Sequence, residues 1–511
     1  MTVSARSRRL GLAALPLSVA VLLTGCFASP APSANQHEGT DARLSIAMLQ
    51  PPRSGLTPLS DDAFKLSRWS TAETLVVLDA DGNALPGLAT EWERVDTLTW
   101  RFSIRPGVTF HNGHPLTPAS VVNSLQHAID ATPVPRILNG TKLTVRSDGD
   151  GVVITTATPD PLLPHRLSSP QLAILDADAY TESGVSPVGT GTGPFKITSV
   201  NGIVGATLDR YDGYWGEKAQ ASGIDVAFVP DGTARAAALR TGGAHVVEAI
   251  PAGQAASIDP ERIVEVPMPR TNTLYLNTET GPFADPAVRA AAREALERAS
   301  IVASVYEGRA DVAEGLLGPA VPWAAGLRSE SAYRDVLAAR PAPAKVDGVT
   351  ITLGTFTDRA ELPEVAVMVQ QQLEAVGFVV KQDVREYQFI EADALDGKFD
   401  AFILSRATVL DSGDPVAYLA SDFTCEGGFS IAQLCDPKVD EAIRVASETE
   451  AGPARQQAIM LAEAQVLATD AALPMLHERV IQGEAAGVHQ AARDPRERIL
   501  ITAETHLDAP R

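Results

Sequence analysis

The chain is 511 residues long and strongly acidic, with 42 lysines and arginines against 63 aspartates and glutamates and a formal net charge of −21 at pH 7. This charge argues against binding to nucleic acid or to an anionic membrane surface, because both carry charge of the same sign. The length is sufficient for two or three domains with complete hydrophobic cores.

The N-terminus has the pattern of an export signal. Three arginines within the first nine residues precede the apolar run Leu10–Leu23, which is too short for a comfortable membrane span. The run ends at Leu23-Thr24-Gly25-Cys26, which resembles a bacterial lipobox with Cys26 as the lipidated residue. We predict a signal peptide over 1–25 and a lipid anchor that holds the protein at the extracytoplasmic face of the cell membrane. An ordinary signal peptide with an incidental cysteine is the alternative.

The segment after the signal lacks any apolar periodicity and is rich in alanine, serine, proline and asparagine. We predict that 26–41 is a flexible tether. No later hydrophobic run reaches about 18 residues, so we expect no further membrane span.

The region from 85 to 127 predicts a strand, a turn and a helix. Apolar and polar residues alternate over Leu98–Ile104, which is the period of a half-buried strand. Pro106-Gly107 marks a turn, and Thr117-Pro118 opens a helix as an N-cap followed by proline. His111 and His114 have the H-x-x-H spacing of a metal pair, but a turn before a helix orients two ligands poorly. We interpret both histidines as structural, with a metal pair as the alternative.

This region closely resembles the signature of family 5 of the extracellular solute-binding proteins, the substrate-binding subunits of peptide and nickel ABC importers. The family pattern is, loosely, P-x-LA-x-x-W, a strand, and LR-x-G-x-x-F-H-x-G-x-P-L-T. The matching residues are Pro86, Leu88, Ala89, Trp92, Phe102, Arg105, Gly107, Phe110, His111, Gly113, Pro115, Leu116 and Thr117.

Two later segments extend the resemblance. Ser186–Lys196 has three glycines at alternate positions, but Pro194 stands where a dinucleotide loop needs its third glycine. The segment instead resembles the family's P-x-G-T-G-P-[YF] crossover between the small domain and the first lobe. Tyr211–Gly216 resembles the family's N-x-x-YWG element.

The second half of the chain predicts strands and helices in alternation. We expect a strand over 264–277 and a helix that Asp285-Pro286 opens. Strands over 349–356 and 378–384 flank a helix over 361–376, and this order implies a parallel sheet with a right-handed crossover.

The resemblance covers essentially the whole mature chain and implies the α/β, two-lobed fold of type II periplasmic binding proteins with a small additional domain (cluster C type). The first lobe would comprise 42–75, 186–270 and 485–511, the small domain 76–185, and the second lobe 271–484. Ligand would be enclosed between the lobes.

The sequence shows no enzyme motif: a G-x-S-x-G nucleophile elbow, a zinc H-E-x-x-H helix and a metal-spaced cysteine set are all missing. We therefore predict a protein that is not an enzyme and needs no cofactor.

The best binding candidate is Asp411, in a segment that follows a predicted strand over 399–404 and resembles the D-x-x-[DE]-P element of peptide-binding members. There the first aspartate meets the ligand's α-ammonium group, and a carboxylate in a desolvated cleft suits that role. Asp414 is interpreted as a turn or cap residue. The alternative is that both aspartates are solvated loop residues.

Other site residues are predicted more indirectly. Thr408 stands where peptide and nickel binders commonly carry tryptophan, so an aromatic wall would come from Trp323, Tyr387 or Tyr418. Arg406 would pair with a ligand carboxylate, with a surface ion pair as the alternative.

The remaining two cysteines, Cys425 and Cys435, form an even pair ten residues apart once Cys26 is lipidated. In an exported protein this predicts a disulfide rather than two reactive or metal-binding thiols. Dipeptide binders have a counterpart of this loop.

We predict a monomeric substrate-binding lipoprotein that captures short peptides and delivers them to the permease of an ABC importer. The alternatives are a nickel–chelator or other cationic-solute binder of the same family, a solute-sensing receptor, or a secreted hydrolase on the same fold.

Overall fold

The computed structural model describes residues 42–409 and 412–508. The predicted signal peptide, Cys26 and the tether lie outside these described residues. None of the helices in the described part of the chain has the length and apolar character that a membrane span requires.

The chain begins with one strand and one short helix and then forms the small domain. The elements in this part are β1 (Arg43–Met48), α1 (Ala63–Arg68), β2 (Val76–Leu78), β3 (Ala84–Pro86), β4 (Ala89–Arg94), β5 (Thr99–Ile104), α2 (Pro118–Asp130), β6 (Leu143–Asp148), β7 (Gly151–Thr156) and α3 (Leu163–Arg166).

The chain then completes the first lobe and crosses to the second. The elements are β8 (Tyr180–Thr181), β9 (Gly184–Val185), β10 (Phe195–Asn201), β11 (Gly205–Arg210), β12 (Gly223–Phe228), α4 (Gly232–Thr241), β13 (Val246–Val247), α5 (Ala252–Ala255) and β14 (Ile263–Leu276).

The second lobe follows, and the last strands return to the first. The elements are α6 (Pro286–Ala295), α7 (Arg298–Val305), β15 (Ala310–Val312), α8 (Pro322–Leu327), α9 (Ser331–Ala338), β16 (Val349–Phe356), α10 (Glu361–Ala375), β17 (Phe378–Arg385), α11 (Tyr387–Leu395), β18 (Ala401–Ala407), α12 (Val416–Phe423), α13 (Pro437–Glu448), α14 (Pro453–Ala468), β19 (Ala472–Glu484), β20 (Val488–His489) and β21 (His506–Leu507).

The small domain is an antiparallel sheet in the order β4-β5-β7-β6 that packs against α2. The predicted strand and helix are confirmed: Trp100, Phe102 and Ile104 of β5 are buried, and Thr117 caps α2 by accepting a hydrogen bond from the Ser120 N–H. The apolar alternation therefore faces the domain's own core.

One sheet of eleven strands runs through both lobes, in the order β10-β11-β12-β1-β13-β19-β14-β18-β16-β17, with β15 added to β19. Its two central strands are the longest, with 14 residues in β14 and 13 in β19. One end of this antiparallel pair adjoins β13 of the first lobe, and the other adjoins β18 of the second. These two strands therefore connect the lobes.

The β14–β19 ladder is interrupted midway, because its register shifts between Pro267 and Thr271. Proline has no N–H to donate, and both Pro267 and Pro269 lie in this stretch. We refer to residues 268–270, at this irregular point between the lobes, as the hinge.

In the second lobe the predicted strand–helix–strand unit is confirmed, since β16 and β17 pair in parallel and α10 connects them. The strand predicted over 399–404 was wrong in its limits, because β18 spans Ala401–Ala407. Its ladder with β14 begins only at the Leu276–Ala401 pair, and the Phe399 carbonyl accepts a hydrogen bond from Asn277 instead. The corrected limits bring Arg406 into the strand.

Three separate regions of hydrophobic core accompany this arrangement: one within the small domain, one in the second lobe, and one in the first lobe, where two clusters line the sheet. The strand β19 serves both lobes, since Leu476 packs in the second-lobe core and Ile481 in the first. The predicted domain boundaries stay a prediction.

The glycines of the 186–196 segment allow a close backbone crossing. A Cβ atom on Gly191 would lie 2.1 Å from the Thr71 carbonyl oxygen, and one on Gly193 would lie 2.1 Å from that of Ser70. His111 contacts the same crossing, because its backbone N–H donates to the Gly191 carbonyl. The glycines are therefore required for packing.

The Tyr-Trp-Gly element connects the first lobe to the base of the small domain through a carboxylate. Glu73 accepts hydrogen bonds from Tyr214 Oη at 3.0 Å, Trp215 Nε1 at 3.0 Å and Thr192 Oγ1 at 2.7 Å. Burial raises the pKa of Glu73 even though these three donors oppose the shift. We interpret the network as structural.

Candidate functional site

The carboxyl ends of the parallel strands in each lobe face the boundary between the two lobes. In the first lobe, β13 pairs with the last residues of β19 and runs toward its middle, and β1 and β12 lie parallel to β13. In the second lobe, β18 ends opposite Arg270 at the middle of β14, and β16 and β17 run parallel to β18. Ligands of open α/β sheets bind outside the carboxyl ends of such strands. The candidate site is therefore the cleft between these two edges.

On the second-lobe edge, Arg406 makes a two-pronged ion pair with Asp422 of α12. The guanidinium Nε and Nη2 each donate to an Asp422 carboxylate oxygen at 2.7 Å. Asp422 is buried, and desolvation raises its pKa although Arg406 opposes the shift. The guanidinium also lies 4.2 Å from the centre of the Phe429 ring.

Three buried hydroxyls, Thr273 Oγ1, Tyr275 Oη and Tyr418 Oη, form a cluster next to this ion pair, in which Tyr275 interacts with both of the others. Both tyrosines pack against Phe423, and burial raises the pKa of each phenol. Buried hydroxyls in proteins are normally bonded to protein or to ordered water. This part of the second lobe therefore contains a buried cluster of hydroxyl groups beside the ion pair.

A second arginine on this edge, Arg359, follows β16 and donates to Glu478 at 2.6 Å, with Glu361 at 3.7 Å. Burial raises the pKa of Glu361, and the like charge of Glu478 adds to the shift. Arg270 at the hinge lies 3.7 Å from Glu497, which belongs to the C-terminal part of the chain.

The first-lobe edge carries a comparable pair of Arg68 and Glu248. Glu248 directly follows β13, bonds Arg68, and accepts from the Leu49 N–H at 2.8 Å. Burial alone would raise the pKa of Glu248, but Arg68 and the Leu49 N–H outweigh it and the pKa is lowered. Glu248 is therefore charged at neutral pH.

The loop after β18 is held at both ends. Thr408 donates its N–H to the Pro269 carbonyl at 2.8 Å, next to the hinge. Asp414 accepts a hydrogen bond from the Val416 N–H in a turn just before α12 and pairs with Arg455 at 2.7 and 3.1 Å. The turn agrees with the interpretation of Asp414 as a turn or cap residue, and the buried ion pair is an addition that the sequence did not indicate. Asp411 lies outside the described residues.

The predicted site residues fall into two groups. Arg406, Tyr387 and Tyr418 lie together at the second-lobe edge, where Tyr387 Oη donates to Glu391 and its ring contacts Phe356. Tyr418 is only 6% exposed, so it offers little surface to a ligand.

Trp323 lies elsewhere, in a small open pocket of about 40 Å³ between the small domain and the second lobe. Gly82 and His165 line the small-domain side of this pocket, and Asp414 and Arg455 line the other. The structure therefore does not bring Trp323 into the Arg406 group.

The two histidines of the H-x-x-H spacing have different partners. His111 is buried and its Nε2 lies 2.9 Å from the Gly193 carbonyl, and burial lowers its pKa to about 4. His114 is exposed and lies 3.2 Å from Asp176, with Asp178 at 3.9 Å. His111 thus has a packing role, as we interpreted it from the sequence.

The predicted disulfide between Cys425 and Cys435 is present. It closes the loop between α12 and α13, which also contains Phe429.

Serine at both positions is expected to lower the free energy of unfolding by about 2–3 kcal/mol, because a crosslink over ten residues restricts the unfolded chain. Urea unfolding with and without reductant checks this. Reductant should weaken the wild type to the level of the double variant and leave that variant unchanged; a reductant-insensitive wild type would contradict it.

Comparisons with known proteins place the chain among bacterial solute-binding proteins. The family model "Bacterial extracellular solute-binding proteins, family 5 Middle" matches residues 83–430. The nickel-binding protein NikA of Staphylococcus aureus is 22% identical over 440 residues, covering 84% of this chain and 86% of the relative. A probable di/tripeptide-binding protein 5 of Pseudomonas aeruginosa is 28% identical over 453 residues, covering 79% of this chain and 84% of the relative.

Solved structures agree on the fold. The nickel ABC transporter protein of Bacillus halodurans superposes with a TM-score of 0.78 at 24% identity, covering 91% of this chain and all of that chain. A dipeptide-binding protein of Pseudoalteromonas in complex with Met-Leu superposes with a TM-score of 0.71 at 18% identity, with the same coverage. The two-lobed fold predicted from the sequence is confirmed.

Proposed function

The chain belongs to family 5 of the bacterial extracellular solute-binding proteins, and from that premise we propose that it is the lipid-anchored subunit of an ABC importer that captures short peptides. The family membership confirms the resemblance drawn from the 85–127 signature. Its members bind solutes for transport rather than act as enzymes. Peptides are favoured as the solute because of the di/tripeptide-binding relative and because of the disulfide loop after α12.

The observation that carries the proposal is the position of the 408–415 loop. It leaves β18 at the carboxyl edge of the second lobe, and one end is bonded to the hinge at Pro269. The other end is fixed by the buried Asp414–Arg455 pair. Asp411 falls between these two anchors in the sequence, and we propose that its carboxylate recognises the ammonium group of the ligand.

The mechanism we propose is capture between open lobes followed by closure. Rotation about 268–270 would bring the two carboxyl edges together and bury the ligand. The closed form would then dock on the permease. Backbone hydrogen bonds to an extended peptide would supply affinity, and ordered water in the side-chain pockets would allow varied sequences.

The proposed roles of the site residues follow from their places. Asp411 binds the α-ammonium group. Arg406 keeps one guanidinium nitrogen, Nη1, without a partner among the described residues, so it can donate to the ligand. Tyr387 gives an aromatic wall next to it. Trp323 and Tyr418 are weaker candidates, because one lies in the small-domain pocket and the other is buried.

Asp411→Asn is expected to weaken binding of the dipeptide Met-Leu by about 1.5–3 kcal/mol, or roughly 10- to 150-fold, through loss of a charge-assisted hydrogen bond. Calorimetry measures this directly. N-acetyl-Met-Leu, which lacks the ammonium group, is the matched probe. It should bind the wild type and the variant equally weakly. If the loss of affinity from acetylation and the loss from Asp411→Asn were additive, Asp411 would not contact the ammonium group.

A nickel–chelator complex is the second candidate, because the Staphylococcus relative is a nickel-binding protein. The two candidates differ in a measurable way, since a chelator complex would bind only with the metal present. A solute-sensing receptor on the same fold would bind the peptide but would not support its uptake.

A further inference from the structure

Several arginines near the cleft have their positive charge neutralised by a carboxylate of the protein. On the second-lobe edge, Arg406 pairs with Asp422 and Arg359 pairs with Glu478. Glu497 lies 3.7 Å from Arg270 at the hinge. Each of these cations therefore reaches the cleft with a protein carboxylate beside it.

The same holds on the opposite edge and along the loop. Arg68 pairs with Glu248 at the end of β13, and Arg455 pairs with Asp414 at the end of the 408–415 loop. Each arginine named here thus has a carboxylate partner, whereas Arg235 at the first-lobe edge is held by backbone carbonyl groups, among them those of Val229 and Ala249.

Burial and geometry both stabilise the Arg406–Asp422 ion pair. Asp422 is 1% exposed, and removing its partner would leave a buried charge without compensation, which costs several kcal/mol. The pair uses Nε and Nη2 in a fork geometry, and the guanidinium is stacked on Phe429. Arg406 is therefore fixed in position, and Asp422 neutralises the charge of its guanidinium group. The Nη1 atom stays available as a hydrogen-bond donor to a ligand.

We infer that the cleft selects against anionic ligands, and that Asp422 is a specificity-determining residue because it cancels the charge of Arg406. The inference rests on the proposed function and narrows its substrate class to neutral and cationic peptides. Arg406 then donates to a peptide carbonyl rather than clamping a carboxylate. A chelator with several carboxylates fits such a cleft poorly, because like charges repel across a desolvated site.

The test compares tripeptides that differ only in charge. In Ala-Ala-Ala, each position in turn is replaced by glutamine, glutamate or lysine, and the dissociation constant of each peptide for the mature protein is measured separately by calorimetry. Glutamine and glutamate have nearly the same shape, so the ratio of their affinities reports charge. We expect each glutamine peptide to bind about tenfold more tightly than its glutamate counterpart.

Three variants connect that ratio to the ion pair. Asp422→Asn leaves Arg406 unpaired and should bring the glutamine-to-glutamate ratio close to one. Arg406→Gln leaves Asp422 unpaired and should raise the ratio. The double variant carries no charge at either position and should keep the wild-type ratio. Glu441→Gln, in an exposed ion pair on α13, is the control and should also keep it.

The outcomes separate the inference from the proposed function. If no tripeptide binds, the peptide-binding proposal itself is contradicted. If glutamine and glutamate peptides bind equally to the wild type, the protein binds peptides without the charge selection inferred here. A double variant that loses discrimination would show that geometry rather than charge sets it. Should Asp422→Asn not fold, the wild type and Arg406→Gln still decide the question.

Discussion

Glu463→Ala is expected to destabilise the protein by about 3–5 kcal/mol, because it leaves a buried arginine without its partner. Glu463 lies on α14 and is fully buried. It accepts hydrogen bonds from the Leu317 N–H at 2.9 Å, from Arg328 at 3.0 Å and from Tyr333 Oη at 3.0 Å. One carboxylate thus ties three separate segments of the second lobe to α14.

Urea unfolding of the wild type and the variant measures the loss. Glu441→Ala is the matched control, because Glu441 pairs with Arg444 on the exposed face of α13. Surface pairs of this kind contribute at most about 1 kcal/mol. Similar losses for the two variants would contradict the role of Glu463 as a buried connection within the second lobe.

Cys26→Ser is expected to move nearly all of the protein from the membrane fraction to the soluble fraction. The prediction follows from the lipobox-like sequence, since a serine hydroxyl does not replace the thiol that accepts the lipid. Each buried methylene of an acyl chain contributes about 0.8 kcal/mol to membrane binding, so loss of the lipid removes the anchor.

Fractionation of cells that express the variant checks this prediction. The control is the Cys425→Ser, Cys435→Ser double variant, which loses the other two thiols and should stay with the membrane. Continued membrane retention of Cys26→Ser would contradict the anchor and favour an ordinary signal peptide. The ligand-binding proposal does not depend on the result.

Local patterns in the sequence were sufficient for most of the regular elements. The strand Val349–Phe356 has the predicted limits, and the helix after it ends at Ala375, one residue early. Such limits follow from nearby residues, because alternation and caps act within a few positions. The strand at 399–404 was placed too early because Phe399 is apolar but lies before the ladder begins.

The cleft was less predictable because its ion pairs connect distant parts of the chain. Arg406 and Asp422 are 16 positions apart, and Asp414 and Arg455 are 41 apart. A lone aspartate on the apolar helix α12 was the available signal for Asp422, since a buried carboxylate needs a partner. Trp323 was grouped with Tyr387 by residue type alone, and tertiary packing separates them.

The most direct test of the account is native mass spectrometry of the mature protein, purified without refolding from its own host. We expect bound masses that fragment as short peptides of two to several residues, with aspartate and glutamate depleted relative to the available pool. A bound metal–chelator complex or a sugar would keep the fold and contradict the substrate proposed here.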